Sequence, residues 1–136
     1  MSKTFIKVRY AETDKMGIVY HSNYYIYFEV AREDFIEETG LKYKELEDLG
    51  IMMPLVETWC KYYLGAKYGD KLSVETKIEE LTPVKVKLSY TVRRDEDNKL
   101  IAKGTTLQTF VDSKSFRIIN LKKKYPEVWE KFQKIL

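Results

Sequence analysis

Residues 22–39 carry one long helical pattern whose first half, Tyr24-Tyr25-Ile26-Tyr27-Phe28, is apolar almost all the way round. Tyr24, Tyr27, Phe28, Ala31 and Phe35 recur at the spacing of a helix face, with Glu29, Arg32, Glu33, Glu37 and Glu38 at the other positions. Ser22 or Asn23 stands where an N-cap belongs, and Gly40 stands where a terminating glycine belongs. A helix with apolar side chains on nearly every side must be enclosed, so the rest of the chain has to wrap it.

What remains to do the wrapping is strand. Residues 3–10 set Phe5, Lys7 and Arg9 against Ile6, Val8 and Tyr10, a period of two. A loop over 11–21 precedes the helix, and a short second helix is expected over 42–49, closed by Gly50. Residues 52–64 form a long β-rich stretch, with Pro54 marking an edge position or the start of the strand. Leu72, Val74, Thr76 and Ile78 alternate with Ser73, Glu75, Lys77 and Glu79; Val84, Val86, Leu88, Tyr90 and Val92 alternate with polar neighbours; residues 100–111 supply the last strand. The joins at 64–70, 81–83 and 95–98 are short enough for antiparallel neighbours. Residues 122–136 read as a terminal amphipathic helix with Tyr125, Val128, Trp129 and Phe132 on one face. The order predicts an α+β fold in a single domain over 1–136: a long central helix wrapped by a five-stranded antiparallel sheet, plus a C-terminal helix.

Composition narrows the function. With 136 residues, 44% hydrophobic and 33% charged, the chain is a folded domain and not a disordered segment. No apolar run is long enough to cross a bilayer, and Met1-Ser2-Lys3-Thr4-Phe5 leads straight into the first strand without a signal region, so a cytoplasmic protein with no membrane insertion is expected. The lone Cys60 excludes an internal disulfide and leaves too few thiols for a zinc site; no metal is expected. A formal charge of +3 spread over alternating signs argues against a nucleic-acid partner and suits a small anionic ligand. The 14 Glu and 19 Lys against 2 Gln and 3 Asn point to a thermophilic source.

Chemistry concentrates in Tyr10-Ala11-Glu12-Thr13-Asp14-Lys15-Met16-Gly17-Ile18-Val19-Tyr20-His21-Ser22-Asn23-Tyr24. Asp14 lies on a loop with Gly17 three residues on and the helix start a further few residues away. The first turn of a helix has unpaired N–H groups and positive potential, which suit a developing oxyanion. A thioester carbonyl is already electrophilic. One carboxylate to attack it, or to deprotonate water, plus one good donor to its oxygen would suffice for hydrolysis.

The segment resembles the fingerprint of the 4-hydroxybenzoyl-CoA thioesterase family through Asp14, Gly17, Ile18, Val19, His21 and Tyr24. Tyr10 and Thr13 look like the short-chain acyl-CoA branch of that family, some members of which are linked to the Tol–Pal envelope system. Asn23-Tyr24, Phe28-Glu29 and Ala31-Arg32 continue the resemblance into the helix, and Tyr68-Gly69-Asp70 before Leu72-Ser73-Val74 extends it to a later strand, so it covers roughly residues 4 to 112. The resemblance implies a hotdog fold, hydrolysis of short-chain aliphatic or aromatic acyl-CoA thioesters, and no cofactor beyond the coenzyme A carried by the substrate. It implies Asp14 as nucleophile or general base and His21 as the position whose backbone N–H polarises the carbonyl. Gly17 permits the tight loop, and Tyr10, Val19 and Tyr24 line the substrate. A homo-oligomer, a dimer of dimers with sites at dimer interfaces, is also implied.

Plainer roles compete with these. Asp14 can simply close a turn, the His21 imidazole can sit in solvent, and Tyr10, Tyr24, Tyr25 and Tyr27 can be core or interface aromatics. Glu12 and Glu29 are explained by solvent exposure or a helix terminus. Glu57, inside an otherwise apolar strand, is a second candidate carboxylate, and Cys60 is a packing residue. Arg93, Arg94, Lys114 and Arg117 are candidates to grip coenzyme A phosphates, Arg94 and Arg117 first among them. Lys122-Lys123-Lys124 is oddly placed for a helix start, where cations oppose the dipole. The competing functions are a non-catalytic acyl-CoA or acyl-carrier binding module and a hydroxyacyl dehydratase; the second needs a histidine paired with an acid, and His21 stands in the wrong place for it.

Overall fold

The computed structural model describes residues 2–136. Strand β1 (Ser2–Lys7) leads through a 3-10 turn at Tyr10–Glu12 to the long helix α1 (Asn23–Glu38) and the short helix α2 (Tyr43–Leu49). Strands β2 (Ile51–Met52), β3 (Leu55–Tyr62), β4 (Lys71–Thr82), β5 (Lys85–Arg94), β6 (Leu100–Thr109) and β7 (Val111–Asp112) follow, and α3 (Leu121–Lys124) and α4 (Pro126–Lys134) close the chain. The main sheet runs β1-β4-β5-β6-β3, antiparallel throughout, so β1 and β3 are its edges. Helix α1 lies on the sheet in the hotdog arrangement that the sequence led us to expect.

The register explains the wrapping. Alternate residues of β5 (Val86, Leu88, Tyr90, Val92) are buried and meet Tyr27, Phe28, Ala31 and Phe35 of α1 in one core. The Phe28 ring stacks on Tyr90 at 4.4 Å, and Gly104 of β6 makes room for it: a Cβ there would collide with that ring and with the Trp59 carbonyl. The Thr4 hydroxyl donates to Asp34 Oδ2 at 2.6 Å, tying β1 to α1. Buried Arg32 donates to the Tyr90 hydroxyl at 3.1 Å, which in turn bonds Thr106.

Several expectations are corrected. The first strand ends at Lys7, because Glu12 accepts the Arg9 N–H at 2.8 Å and turns the chain; Tyr10 is consequently 76% exposed instead of sharing the inner face with Ile6 and Val8. Ser22 occupies the N-cap position of α1 without making a side-chain cap bond. The stretch 52–64 is two strands: β2 pairs with β7 in a separate ribbon that no local pattern announced, and Pro54 separates it from β3. Helix α1 is not enclosed on every side by its own chain, since Ile26 and Val30 are exposed. The terminal helix is broken at Tyr125-Pro126. Asn120 caps the short α3 through the Lys123 N–H at 3.0 Å, and Lys122, Lys123 and Lys124 belong to this single turn, so they do not open the longer helix α4.

Candidate active site

The loop between β1 and α1 is anchored first by Glu12. Its Oε1 accepts the Arg9 N–H at 2.8 Å and the Tyr27 hydroxyl at 2.9 Å, and its Oε2 accepts Arg9 Nε at 3.1 Å. Burial alone would raise the pKa of this carboxyl; the Arg9 amide, the Tyr27 hydroxyl and the Arg9 guanidinium together outweigh burial and hold it below the ordinary value. Glu12 is therefore a buried structural acid and not the exposed side chain the sequence suggested. Its carbonyl accepts the Tyr20 N–H at 2.8 Å and Asn23 Nδ2 at 2.9 Å, so both ends of the loop are tied to one residue.

Between these ties the chain makes a tight turn at Asp14. The Gly17 N–H donates to the Asp14 carbonyl at 2.9 Å, the Asp14 N–H donates to the Ile18 carbonyl at 3.0 Å, and the Met16 N–H donates to Asp14 Oδ1 at 2.8 Å. Gly17 has φ +77°, a left-handed conformation that side chains strain. The turn rests on the 65–70 loop through Val19 N–H to the Ala66 carbonyl at 2.9 Å. Gly65 touches Ile18 so closely that a Cβ would lie 2.5 Å from Ile18 Cγ2.

These pieces border a cleft of about 230 Å³. Asp14, Met16, Ile18 and Val19 form one wall, His21 and Tyr24 stand at the helix start, and Tyr62, Tyr63, Leu64 and Gly65 come from the end of β3 and beyond. At the start of α1 the Asn23, Tyr24 and Tyr25 N–H groups close turns onto the carbonyls of Tyr20, His21 and Ser22. Among the described residues the His21 and Ser22 N–H groups meet no acceptor, and of the two residues His21 borders the cleft whose opposite wall carries the Asp14 carboxylate. The exposed His21 ring tilts against Tyr20 at 4.4 Å and meets Tyr62 edge-on at 6.3 Å. Tyr24 is buried, and burial, with Cys60 nearby, pushes its phenol up to about 12.

Asp14, Val19, His21 and Tyr24 thus come together as the sequence suggested, and Gly17 shapes the turn behind them. Tyr10 lies outside the cleft, edge-to-face with Tyr68 at 5.7 Å. Arg94 is engaged within the protein: Nε donates to Asp70 Oδ2 at 3.2 Å, one terminal nitrogen to Asp97 Oδ2 at 3.0 Å, and the other to the Gly65 carbonyl at 3.2 Å. A phosphate would have to compete there with two carboxylates, so Arg94 reads as a clamp on the 65–70 loop. Arg117 is exposed beside β7, where its carbonyl accepts the Asp112 N–H, and it does not border the cleft. Glu57 is exposed on edge strand β3, away from the cleft lining. The cleft residues that sequence reasoning missed are Met16 and the 62–65 run; Ile18 stood in the fingerprint but was given no role. The join at 64–70 gave the only signal, since it returns the end of β3 toward the first loop.

The thioesterase-like superfamily model matches residues 8–136. The chain belongs to that superfamily. A Bacillus subtilis (strain 168) protein named as a candidate acyl-CoA thioesterase, YneP, is 36% identical over 134 residues, spanning 98% of this chain and 96% of that protein. A DHNA-CoA thioesterase from Staphylococcus aureus superposes with a TM-score of 0.93 at 34% identity, covering 98% of this chain and 89% of that one. A gentisyl-coenzyme A thioesterase superposes with a TM-score of 0.84 at 25% identity, covering 96% and 99%. The hotdog thioesterase fold is therefore shared along nearly the whole length. Among the described residues no helix is long and apolar enough to cross a membrane, and no group of three or more His, Cys, Asp or Glu is arranged to hold a metal.

Proposed function

We propose that this thioesterase hydrolyses acyl-CoA thioesters to the free acid and coenzyme A, with Asp14 as nucleophile or general base and the helix-start amide of His21 receiving the carbonyl oxygen. The observation that carries the reading is that Asp14 and His21, whose backbone N–H has no acceptor among the described residues, border one small cleft. As the thioester carbon becomes tetrahedral, charge grows on its oxygen, where fixed amide dipoles at a helix N-terminus stabilise it without reorganising. Either water deprotonated by Asp14 bonds to that carbon, or Asp14 bonds to it and the resulting acyl-aspartyl anhydride is opened by water. In both cases water supplies the second oxygen of the free acid and the sulfur leaves as the thiolate of coenzyme A. The bond from Met16 N–H holds one oxygen of Asp14 in place, so the carboxylate is oriented before substrate arrives.

The volume of about 230 Å³ and the apolar contributions of Ile18, Val19, Tyr24 and Leu64 suit a short aliphatic or single-ring aromatic acyl group. A gentisyl-coenzyme A thioesterase among the structural relatives supports the aromatic alternative. The functional unit is a homo-oligomer, with a dimer of dimers as the fuller assembly. Edge strand β3 exposes Leu55, Val56, Trp59 and Tyr62, and a long apolar edge without a partner strand invites pairing with another copy.

The test is thiol release from a panel of acyl-CoA substrates by the parent protein and by Asp14→Asn. The variant should fold normally and lose at least about a hundredfold in kcat, the scale for removing a positioned base or nucleophile. Unchanged turnover would refute the role of Asp14 and move the active carboxylate elsewhere. Binding of acyl-CoA without any turnover by the parent would overturn the hydrolase reading, as would crotonyl formation from a hydroxybutyryl thioester.

A further inference from the structure

The outer face of the sheet at the β1 edge carries an arrangement that folding alone does not favour. Lys3, Phe5 and Lys7 are exposed along β1, and Lys7 sits directly opposite Lys71 of β4 in the antiparallel register. Like charges in that relation repel. Asp95 lies 3.7 Å from the Lys71 ammonium and relieves one partner, but among the described residues Lys7 has no acidic neighbour within ion-pair distance. The next row of the same face is Phe5, Ser73 and Arg93, and the row after it pairs Lys3 with Glu75. In these three rows of the face, Lys3, Lys7, Lys71 and Arg93 stand around Phe5, with Glu75 and Asp95 as acidic neighbours. The Phe5 ring is half exposed, with the Lys71 ammonium 4.5 Å and the Lys3 ammonium 5.7 Å from its centre.

Phe5, Ile6, Lys7, Gly69 and Lys71 line an open groove of about 410 Å³. Its Gly69 wall belongs to the loop whose other end, Gly65, borders the Asp14 cleft. Three residues separate the two glycines, and the four chain steps between them span at most about 14 Å, a reach the extended pantetheine arm can cover. On that loop stands Tyr68, edge-to-face with the exposed Tyr10.

We infer that this groove is the subsite for the nucleotide end of the substrate, the 3′-phosphorylated ADP of coenzyme A, a reading that rests on the acyl-CoA function proposed above. Lys7 and Lys71 take the phosphates, which turns their mutual repulsion into shared attraction for an anion. Phe5 supplies the apolar contact for the adenine, and Arg93 lies in the adjoining row of the same face. The Tyr10–Tyr68 pair lies along the path of the pantetheine arm, which gives Tyr10 a substrate contact outside the cleft. Arg94 and Arg117 are not needed for this recognition.

Two measurements test the inference separately from the hydrolase reading. The first compares kcat/KM for one acyl group carried on coenzyme A and on pantetheine, in the parent, in Lys7→Glu and in the remote control Lys134→Glu. The preference for the coenzyme A substrate over the pantetheine substrate should fall about tenfold in Lys7→Glu, through KM, and stay unchanged in the control. An equal effect on both substrates, or none on either, overturns the assignment. The second measures binding of 3′,5′-ADP by titration calorimetry and needs no turnover. The parent should bind it, with affinity falling as salt rises, and Lys7→Glu should weaken it about tenfold. A protein that hydrolyses acyl-CoA while 3′,5′-ADP binds parent and Lys7→Glu alike, or not at all, refutes the subsite and leaves the hydrolase intact. Specific 3′,5′-ADP binding with no thioester turnover does the reverse.

Discussion

Gly65 is where a single methyl group tests how the site is held together. A Cβ at this position would lie 2.5 Å from Ile18 Cγ2, 3.1 Å from Ile18 Cβ and 3.4 Å from Ile18 Cδ1. Ordinary contact begins near the last of these, so Ile18 must retreat by 3.4 − 2.5 = 0.9 Å in Gly65→Ala. Ile18 cannot rotate away without cost, because it is β-branched and its carbonyl accepts the Asp14 N–H at 3.0 Å. The displacement therefore passes into the Asp14 turn. Overpacking of this kind costs about 1–3 kcal/mol. A shift of about 1 Å in a reacting group costs on the order of a hundredfold in rate. The assays are urea denaturation and acyl-CoA turnover on Gly65→Ala, Ile18→Ala and the double variant. Ile18→Ala removes the two outer clashing atoms, so Gly65→Ala should cost less stability and less rate in that background, with a coupling of about 1 kcal/mol or more. Strict additivity, or a Gly65→Ala protein with parental kcat, would refute the mechanical link between the two loops.

Glu12→Gln should lose about 1.5–3 kcal/mol at neutral pH, since the buried carboxylate accepts three hydrogen bonds. The folded-state pKa of Glu12 is depressed, so its contribution is complete above the unfolded value and disappears as pH falls through the folded one. Urea midpoints of parent and variant should converge in acid; a gap that stays constant down to acid pH would contradict this. His21→Ala should retain kcat within about tenfold, because the proposed donor is its backbone N–H; a loss as large as that of Asp14→Asn would transfer the role to the imidazole. Tyr24→Phe should leave the neutral-pH rate profile without a lost limb, as the phenol titrates only near 12. Val56→Lys, on the exposed edge of β3, should lower the mass seen by sedimentation to that of a smaller assembly; an unchanged mass would exclude β3 from the interface.

Where period decided structure, the chain was legible. The alternation through Val86, Leu88, Tyr90 and Val92 and the helical spacing through Tyr24, Phe28, Ala31 and Phe35 located the two faces that make the core. The misses have three physical sources: a side chain that bonds the backbone three residues away, a proline inside a helical pattern, and a strand pairing between distant segments. Glu12 bends residues 8–12 out of a strand by capping Arg9, and Tyr125-Pro126 breaks a helix whose apolar face continues across the break. The β2–β7 pairing joins residues far apart in sequence, so nothing near Ile51 announces it. Within the site, the motif from Asp14 to Tyr24 was readable because it is contiguous. The 62–65 wall was not, because its side chains reach the cleft only after β3 is placed at the sheet edge.

Glu12 and Asp14, two residues apart, show how one loop divides its acids. Glu12 is buried, and each of its oxygens is engaged by a donor from Arg9 or Tyr27. Such a carboxylate has little basicity left for substrate, and losing it unties the loop from α1. Asp14 keeps a single side-chain bond, to Met16 N–H, and borders the cleft. The first acid makes the second useful: by accepting the Tyr20 N–H and Asn23 Nδ2, the Glu12 carbonyl brings the start of α1 back to the loop that carries Asp14. Arg94 does the same from the opposite side by holding Gly65, which presses on Ile18. The carboxylate is thus positioned by two clamps that never touch substrate, a Glu12 clamp on the helix and an Arg94 clamp on the sheet. Weakening either should lower kcat while leaving the Asp14 side chain itself intact.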